Sequence, residues 1–105
     1  MHMRRIKAAA PNEVAPGTMK EIDLGSDEYV LLANIDGKYY AMRAVCNHMG
    51  GPLAQGTLQG TTLTCPWHRS KWDVTTGRNI WFHRPLPDEP VYAVHVEGDG
   101  IYIEV

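Results

Sequence analysis

Two short segments of this chain each place a cysteine close to a histidine. Cys46 and His48 stand in the run C-N-H, and Cys65 and His68 stand in the run C-P-W-H. The chain has only these two cysteines. Thiolate and neutral imidazole groups are ligands that suit zinc, copper and iron–sulfur centres. The four side chains therefore predict a metal site with four protein ligands, supplied by two loops.

The order of these ligands bears on which metal is bound. A structural zinc site takes two cysteines and two histidines around one ion, and zinc motifs usually group cysteine with cysteine and histidine with histidine. A 2Fe–2S centre of mixed ligation takes two cysteines on one iron and two histidines on the other. Here each loop carries one ligand of each kind, so each loop can serve both irons. The order favours the two-iron centre, and a zinc site is the alternative.

Length, charge and apolar content narrow the class of protein. A chain of 105 residues is expected to form one domain. The formal net charge of −2 gives no sign of the basic surface that nucleic-acid binding requires. No apolar run approaches the roughly 18–20 residues that span a bilayer, so we expect a cytoplasmic protein without a membrane partner. In that compartment a disulfide between the two cysteines is disfavoured, and it would leave both histidines unexplained.

Short runs of β-forming residues, separated by Gly, Pro, Asp and Asn, predict an all-β fold. The clearest hairpin signal is Asp36-Gly37, between an apolar run at 29–35 and a second run at 38–42. Asp-Gly is favoured there because both central residues of this turn type need positive φ. The second run leads towards Cys46. The first metal-binding loop is therefore predicted to follow a well-defined strand.

Further hairpins are expected on both sides of the second loop. A small one is predicted from 57–59 and 62–64, and a terminal one from 91–97 and 101–105. Three prolines make 85–90 a rigid loop instead of a central strand. We expect one domain, 1–105, with a basal β part at about 1–44 and 78–105 and an inserted cluster-binding subdomain at about 45–77.

The spacing C-x-H, sixteen residues, then C-x-x-H resembles the Rieske iron–sulfur motif. The segments around the ligands agree with that family: Gly51-Pro52-Leu53, Cys65-Pro66, Trp72-Asp73 and Thr76-Gly77. The resemblance covers roughly residues 4 to 105. It implies a Rieske-type antiparallel β-sandwich or barrel and one 2Fe–2S cluster. Cys46 and Cys65 would then bind one iron, and His48 and His68 would bind the other.

Three positions indicate which kind of Rieske protein the chain resembles: two differ from the respiratory members, and one matches the high-potential members. Respiratory members carry two extra cysteines, and the matching positions here are Gly51 and Trp67. The chain therefore resembles the small ferredoxins of oxygenase systems. Ser70 stands where high-potential members place a serine that bonds a bridging sulfide, although an exposed strand hydroxyl is the alternative. Met49, Leu53, Trp67 and the Pro85–Pro87 loop are candidates to shield the cluster and present an apolar rim, with a packing role as the alternative for Trp67.

The remaining polar candidates are expected to have no role in the metal site. His2 and His83 are not predicted as ligands, although the position of His83 near the proline loop could place it at the border of the cluster. His95 stands in an alternating run and is expected to be a surface or partly buried strand residue. Asp88 and Glu89 are predicted to form a solvated turn.

The sequence predicts an electron carrier and not an enzyme. It contains no nucleophile–base pair, no phosphate-cradling glycine motif and no nicotinamide fingerprint, so no catalytic residue is assigned. The resemblance implies transfer of single electrons from a flavoprotein reductase to a terminal oxygenase of the aromatic-ring hydroxylating dioxygenase type, with brief docking at each partner. The alternatives are a structural zinc domain with a role in protein interaction and a small Rieske-like subunit of a nitrite-reductase-type enzyme.

Overall fold

A computed structural model of the chain describes residues 4–46, 50–67, 69–80 and 86–105. In these residues the regular structure is almost entirely extended, with one 3-10 turn at Leu53–Gln55. The strands are β1 (Arg5–Ala9), β2 (Met19–Gly25), β3 (Glu28–Ile35), β4 (Lys38–Arg43), β5 (Thr57–Gln59), β6 (Thr62–Thr64), β7 (Lys71–Asp73), β8 (Arg78–Asn79), β9 (Val91–Tyr92), β10 (Val94–Glu97) and β11 (Gly100–Glu104).

The strands form three antiparallel sheets. The first has the order β1-β11-β10, the second β2-β3-β4-β9 and the third β5-β6-β7-β8. This arrangement confirms the predicted all-β fold class. The third sheet includes the small hairpin that the sequence predicted, with Thr57 opposite Thr64 and Gln59 opposite Thr62. In the described residues, no helix has both the length and the apolar character to span a membrane.

The hairpin of β3 and β4 carries the chain to the first loop predicted to bind the metal. Asp36 and Gly37 both have positive φ, 53° and 89°, as their turn type requires. Ile35 then lies opposite Lys38, and the pairing continues without a shift to Val30 opposite Arg43. The predicted hairpin is confirmed. Its regular register fixes where β4 ends, three residues before Cys46.

The terminal strand prediction is only partly correct. The alternating run 91–97 is two strands, because Val91–Tyr92 pairs with β4 and Val94–Glu97 pairs with β11. Ala93 lies at the crossing between the two sheets. Each of the two sheets buries one face, so each strand has alternating apolar and polar residues. The alternation therefore continues in the sequence although the chain changes sheets. The pattern therefore shows strand structure but not which sheet each half joins.

The hydrophobic core connects the second and third sheets. Leu31 and Met42 of the second sheet are fully buried in one cluster with Leu53, Leu63 and Trp72 from the predicted subdomain. A second cluster, including Val30, Leu32, Ile101 and Ile103, packs the first sheet against the second. One core thus crosses the expected boundary near residue 45, and the division into a basal part and a subdomain stays a prediction.

The prediction of a solvated turn at Asp88 and Glu89 is wrong for Glu89. Glu89 is only 3% exposed, and its backbone N–H donates to the Gly77 carbonyl at 2.7 Å. The approach is this close because Gly77 has no side chain: a Cβ there would overlap the Glu89 carbonyl oxygen. The segment 86–90 is therefore packed onto the turn that precedes β8.

Replacing Gly77 with alanine should reduce stability by more than its backbone conformation alone explains. Gly77 and Gly17 have similar positive φ, 76° and 81°, but a Cβ at Gly17 meets nothing within 4 Å. Gly17→Ala should cost about 1–2 kcal/mol of unfolding free energy, from the left-handed conformation. Gly77→Ala should cost clearly more, because Glu89 must also move. The measurement is the urea midpoint by tryptophan fluorescence and circular dichroism; equal losses in the two variants would contradict the packing.

Candidate metal centre

The first loop folds back on itself just after β4. The Cys46 backbone N–H donates to the Gly51 carbonyl and the Gly50 N–H donates to the Cys46 carbonyl, both at 2.9 Å. Gly50 adopts a φ of 74°, which favours glycine. A bridge between Val45 and Pro52 closes the loop at its base. Cys46 is held in this tight turn with only 3% of its surface exposed.

The second loop connects two paired strands, β6 and β7. The Cys65 N–H donates to the Ser70 carbonyl at 2.8 Å, so the loop closes on the same ladder that holds the strands together. Arg69, with a φ of 60°, turns the chain back towards β7. Cys65 is fully buried, whereas Trp67, which lies between Cys65 and Arg69 in the sequence, is 50% exposed. The loop therefore points its sulfur inwards and its indole outwards.

The two loops meet at the two sulfur atoms. A Cβ added at Gly51 would lie 2.7 Å from Cys65 Sγ and 3.2 Å from Trp67 Cβ, so the first loop packs its bare backbone on the second. In the opposite direction, Cys46 Sγ lies 3.2 Å from Ser70 Oγ, in the second loop. No disulfide joins Cys46 to Cys65. Two buried thiols from different loops thus lie close to each other.

The electrostatics of this place suit a cation. Burial raises the pKa of the Cys65 thiol, and the nearby Cys46 sulfur raises it further, while a hydrogen bond from the Trp67 backbone opposes both. Without positive charge, the buried site therefore resists ionisation of Cys65. Metal ions bind the thiolate and supply the missing charge, so the thiols and a metal stabilise each other. The donor set fits an iron–sulfur cluster.

Ser70 is buried between the metal site and the core. Its Oγ accepts a hydrogen bond from the Trp72 indole N–H at 3.3 Å. Because the indole group can only donate, the hydroxyl hydrogen of Ser70 is available to a sulfur: Cys46 Sγ lies 3.2 Å away, and a hydrogen bond from Ser70 lowers the pKa of Cys65. The exposed-hydroxyl alternative is excluded, since Ser70 has 0% exposure. A donor to a sulfur ligand stabilises negative charge there and raises the reduction potential.

The structure brings together some of the predicted site residues and separates others. Cys46 and Cys65 converge, whereas His48, His68, Met49, His83 and Pro85 lie outside the described residues. Leu53 does not present an apolar rim as predicted, because it is fully buried in the core; its predicted role in shielding the cluster stays a prediction. Trp67 is exposed as expected. His95 is 38% exposed, and its Nε2 lies 2.9 Å from Glu104 Oε1, so it is a partly buried strand residue away from the sulfurs.

Trp72 is the functional residue that the sequence analysis missed. The resemblance includes its position, but no hydrogen bond to Ser70 was predicted, whereas its indole N–H donates to Ser70 Oγ at 3.3 Å. The available signal was their spacing of two residues at a strand, which places two side chains on one face. An indole donor next to a serine on that face could have been expected to form a pair.

Comparison with known proteins identifies the class. The profile of the Rieske [2Fe-2S] domain matches residues 4–94, most of the chain. The chain therefore belongs to the Rieske family. It carries one Rieske 2Fe–2S cluster, and the zinc alternative is wrong.

The relatives of similar length narrow the class further. The 3-phenylpropionate/cinnamic acid dioxygenase ferredoxin subunit of Shigella flexneri is 31% identical over 98% of this chain and 95% of that protein. A chain in the solved complex of reduced oxygenase and oxidized ferredoxin of carbazole 1,9a-dioxygenase is 25% identical, with a TM-score of 0.87 over 94% of this chain and 91% of that one. The protein is accordingly an electron-transfer component and not itself an enzyme.

Two other matches share less with the chain. It spans 15% of the length of the probable 3-ketosteroid-9-alpha-monooxygenase oxygenase component of Rhodococcus rhodochrous, with 40% identity over 60 residues, or 57% of this chain. A putative NADH-dependent nitrite reductase small subunit from Mycobacterium tuberculosis is 20% identical over 100% of this chain and 97% of that chain, with a TM-score of 0.84. At that identity, the second match shows the fold alone.

Replacing Gly51 with alanine should impair cluster assembly. The new methyl group would displace Cys65 Sγ or Trp67 and so separate the loops. We expect a marked loss of iron and acid-labile sulfide per chain. Gly50→Ala is the control for backbone strain, because its Cβ meets nothing within 4 Å but its φ of 74° disfavours alanine, whereas Gly51 is not among the positive-φ residues. A loss in Gly50→Ala that equals or exceeds the loss in Gly51→Ala would show that loop strain, and not contact with Cys65, controls assembly.

Replacing Ser70 with alanine should lower the reduction potential. The variant removes the hydroxyl that lies 3.2 Å from Cys46 Sγ, so the extra negative charge of the reduced state is less stabilised. A fall of about 60 mV is expected, the size of a tenfold change for one electron. Ser26→Ala, at an exposed turn and the only other serine, is the control. Protein-film voltammetry measures both, and an unchanged potential in Ser70→Ala would show that the hydroxyl is not a donor to the site.

Proposed function

We propose that this protein is a ferredoxin component that passes single electrons from a flavoprotein reductase to a terminal oxygenase of the aromatic-ring hydroxylating dioxygenase type, in the cytoplasm. The observation that carries the proposal is the meeting of two buried thiols directly beneath an exposed surface loop. Cys46 and Cys65 are almost inaccessible, whereas Trp67, two residues after Cys65, is half exposed. A redox site in this position is protected from solvent on one side and close to a docking partner on the other.

The ligand assignment completes this proposal. Cys46 and Cys65 would bind one iron, and His48 and His68 would bind the other, with the loops belonging to a cluster-binding subdomain at about 45–77. Mixed ligation of this kind is the defining feature of Rieske centres. When bound, the cluster accepts and releases one electron without making or breaking a bond to a substrate. The positions of both cysteines support the assignment.

The described residues keep the site ready for this exchange. Gly51 allows the loops to touch, and the Ser70 hydroxyl lies 3.2 Å from Cys46 Sγ, where it would donate to the bound thiolate. Leu53 and Trp72 are fully buried behind the loops and keep water from that side. Fixed side chains around a site hold its geometry when its charge changes.

The partners are proposed from two similar proteins. The similar subunit of Shigella flexneri is named as the ferredoxin subunit of a dioxygenase, and the carbazole dioxygenase structure contains ferredoxin together with oxygenase. This chain has nearly the full length of such a ferredoxin. We infer an equivalent oxygenase here, and a flavoprotein as the source of electrons. A role as the small subunit of a nitrite-reductase-type enzyme is the second candidate, on fold alone.

Reconstitution of the electron chain tests the proposal. The purified, cluster-loaded protein is mixed with NADH and with the reductase and oxygenase encoded by neighbouring genes. Substrate-dependent oxygen uptake should require this protein. The dithionite-reduced protein should show the lowered average g-value of mixed Cys/His ligation in electron paramagnetic resonance.

Ligand variants make the same test specific. Cys46→Ser, Cys65→Ser, His48→Ala and His68→Ala should each lose the resonance signal and the coupled oxygen uptake. His95→Ala is the control, because His95 lies on β10 beside Glu104 and should retain both. A retained signal would remove that residue from the ligand set. Co-purification with a nitrite reductase, and reduction of nitrite by the pair, would support the second candidate instead.

A further inference from the structure

Within the segment 45–77, the exposed charged residues that the structure describes are all basic. Residues 45–77 contain two basic residues, Arg69 and Lys71, and one acidic residue, Asp73. The Asp73 carboxylate accepts hydrogen bonds from the Thr75 N–H at 2.9 Å and the Thr75 hydroxyl at 2.7 Å, within its own turn. Arg69 and Lys71 are exposed. The rest of the chain holds eight of the ten Lys and Arg and eleven of the twelve Asp and Glu. An acidic chain thus has a cationic region at its metal-binding end.

The third sheet fixes one of these cations beside the metal site. Thr57, Thr64 and Lys71 lie opposite one another on three neighbouring strands, so their side chains share one face. Lys71 Nζ donates to Thr64 Oγ1 at 3.1 Å, which holds the ammonium group over this face. A shallow cleft of about 370 Å³ follows, lined by Thr57, Thr64, Cys65, Pro66, Arg69 and Lys71.

Trp67 adds an apolar group to the same surface. Its side chain is 50% exposed, and its base rests on the backbone of Gly51, since a Cβ there would lie 3.2 Å from Trp67 Cβ. The indole is therefore anchored at one end and open at the other. Tryptophan and arginine are enriched among the residues that dominate protein interfaces. The side chains of Trp67, Arg69 and Lys71 together form a surface that we name the cationic rim.

We propose that the cationic rim is the docking surface for an acidic face of the terminal oxygenase, an inference that rests on the proposed function. Opposite charges speed the encounter of two proteins and select their orientation. The indole of Trp67 would fill an apolar recess at the centre of the contact. The net charge of −2 would repel an acidic partner. The positive charge of the cationic rim would attract that partner to this one surface.

The sign of the charge favours the electron acceptor over the electron donor as the partner. An acidic face brings negative charge close to the metal site, and negative charge disfavours the state of the carrier that holds the extra electron. Docking therefore promotes departure of that electron: the carrier is oxidised by one electron and the oxygenase is reduced by one. No proton or leaving group is involved. For the protein that donates the electron, a positively charged face would be favourable, because positive charge stabilises the reduced carrier.

Small charged oxidants test the rim without any protein partner. The reduced protein is mixed by stopped flow with ferricyanide, a trivalent anion, or with hexaammineruthenium(III), a trivalent cation. Ionic strength is varied from about 20 to about 300 mM, because screening removes steering over that range. The ferricyanide rate should fall roughly tenfold and the ruthenium rate should rise. A rate pattern that follows the net negative charge would overturn the proposal.

Charge reversal assigns the effect to the rim. The double variant Arg69→Glu/Lys71→Glu should invert both salt dependences. The control Arg4→Glu/Lys38→Glu changes the net charge by the same amount at exposed positions. Lys38 begins β4, roughly 17 Å of strand from the end that leads to Cys46. The control should keep the wild-type pattern. Inversion in the control would show that total charge, and not the rim, directs the oxidants.

The oxygenase itself supplies the final test. With the reconstituted system, Arg69→Glu/Lys71→Glu should raise the KM for the carrier on the order of tenfold and leave kcat unchanged. The control pair should change neither. An effect confined to the reductase reaction would overturn the assignment to the oxygenase. A wild-type carrier that delivers no electron to the oxygenase overturns the proposed function, whereas delivery with a salt-insensitive KM overturns the docking surface alone.

Discussion

The structure depends on one contact, the meeting of two loops at a pair of buried sulfur atoms. The backbone of Gly51 packs on the Cys65 sulfur, and the Ser70 hydroxyl reaches the Cys46 sulfur. Each loop thus constrains the sulfur of the other. Burial of thiols is unfavourable for the thiolate form, as the raised pKa of Cys65 shows. The site therefore becomes favourable when a cation is bound, and folding of the loops is linked to loading of the cluster.

The shared core explains why this contact is well defined. β4 leads into the first loop, whereas β6 and β7 enclose the second. These strands belong to different sheets, so their relative position depends on side-chain packing and not on one hydrogen-bond ladder. Met42, on β4, is buried in the same cluster as Leu63 and Trp72, on β6 and β7. The loops are positioned by close-packed side chains, which resist small displacements.

Local signals allowed much of this to be predicted from the sequence. Asp36-Gly37 specifies its hairpin through φ, and the spacing and order of the four predicted ligands indicate the cluster. Long-range packing could not be read in the same way. The change of sheet at Ala93 and the burial of Glu89 depend on which surfaces meet. Leu53, in a glycine-rich loop, gave no sign that it belongs to the core.

Ser70 shows the same limit within the metal site. Its position suggested a donor, but a serine next to a short strand can equally face solvent. The Trp72 indole N–H donates to the serine oxygen at 3.3 Å and holds the side chain in the interior, 3.2 Å from the Cys46 sulfur. The role of the serine therefore depends on a second residue that is buried by contacts from another sheet. This dependence arises from three-dimensional packing, so it cannot be predicted from the local sequence around Ser70.

The exposed Trp67 favours self-association of the carrier, and its charged neighbours oppose it. A half-exposed indole beside a redox site invites two carriers to associate through the same apolar surface. Arg69 and Lys71 flank this surface with like charges, so two copies facing each other would bring four cations together. Repulsion of that kind disfavours self-association, whereas an acidic partner gains from the same charges. The rim can therefore keep an apolar anchor accessible to a partner while protecting the carrier from its own copies.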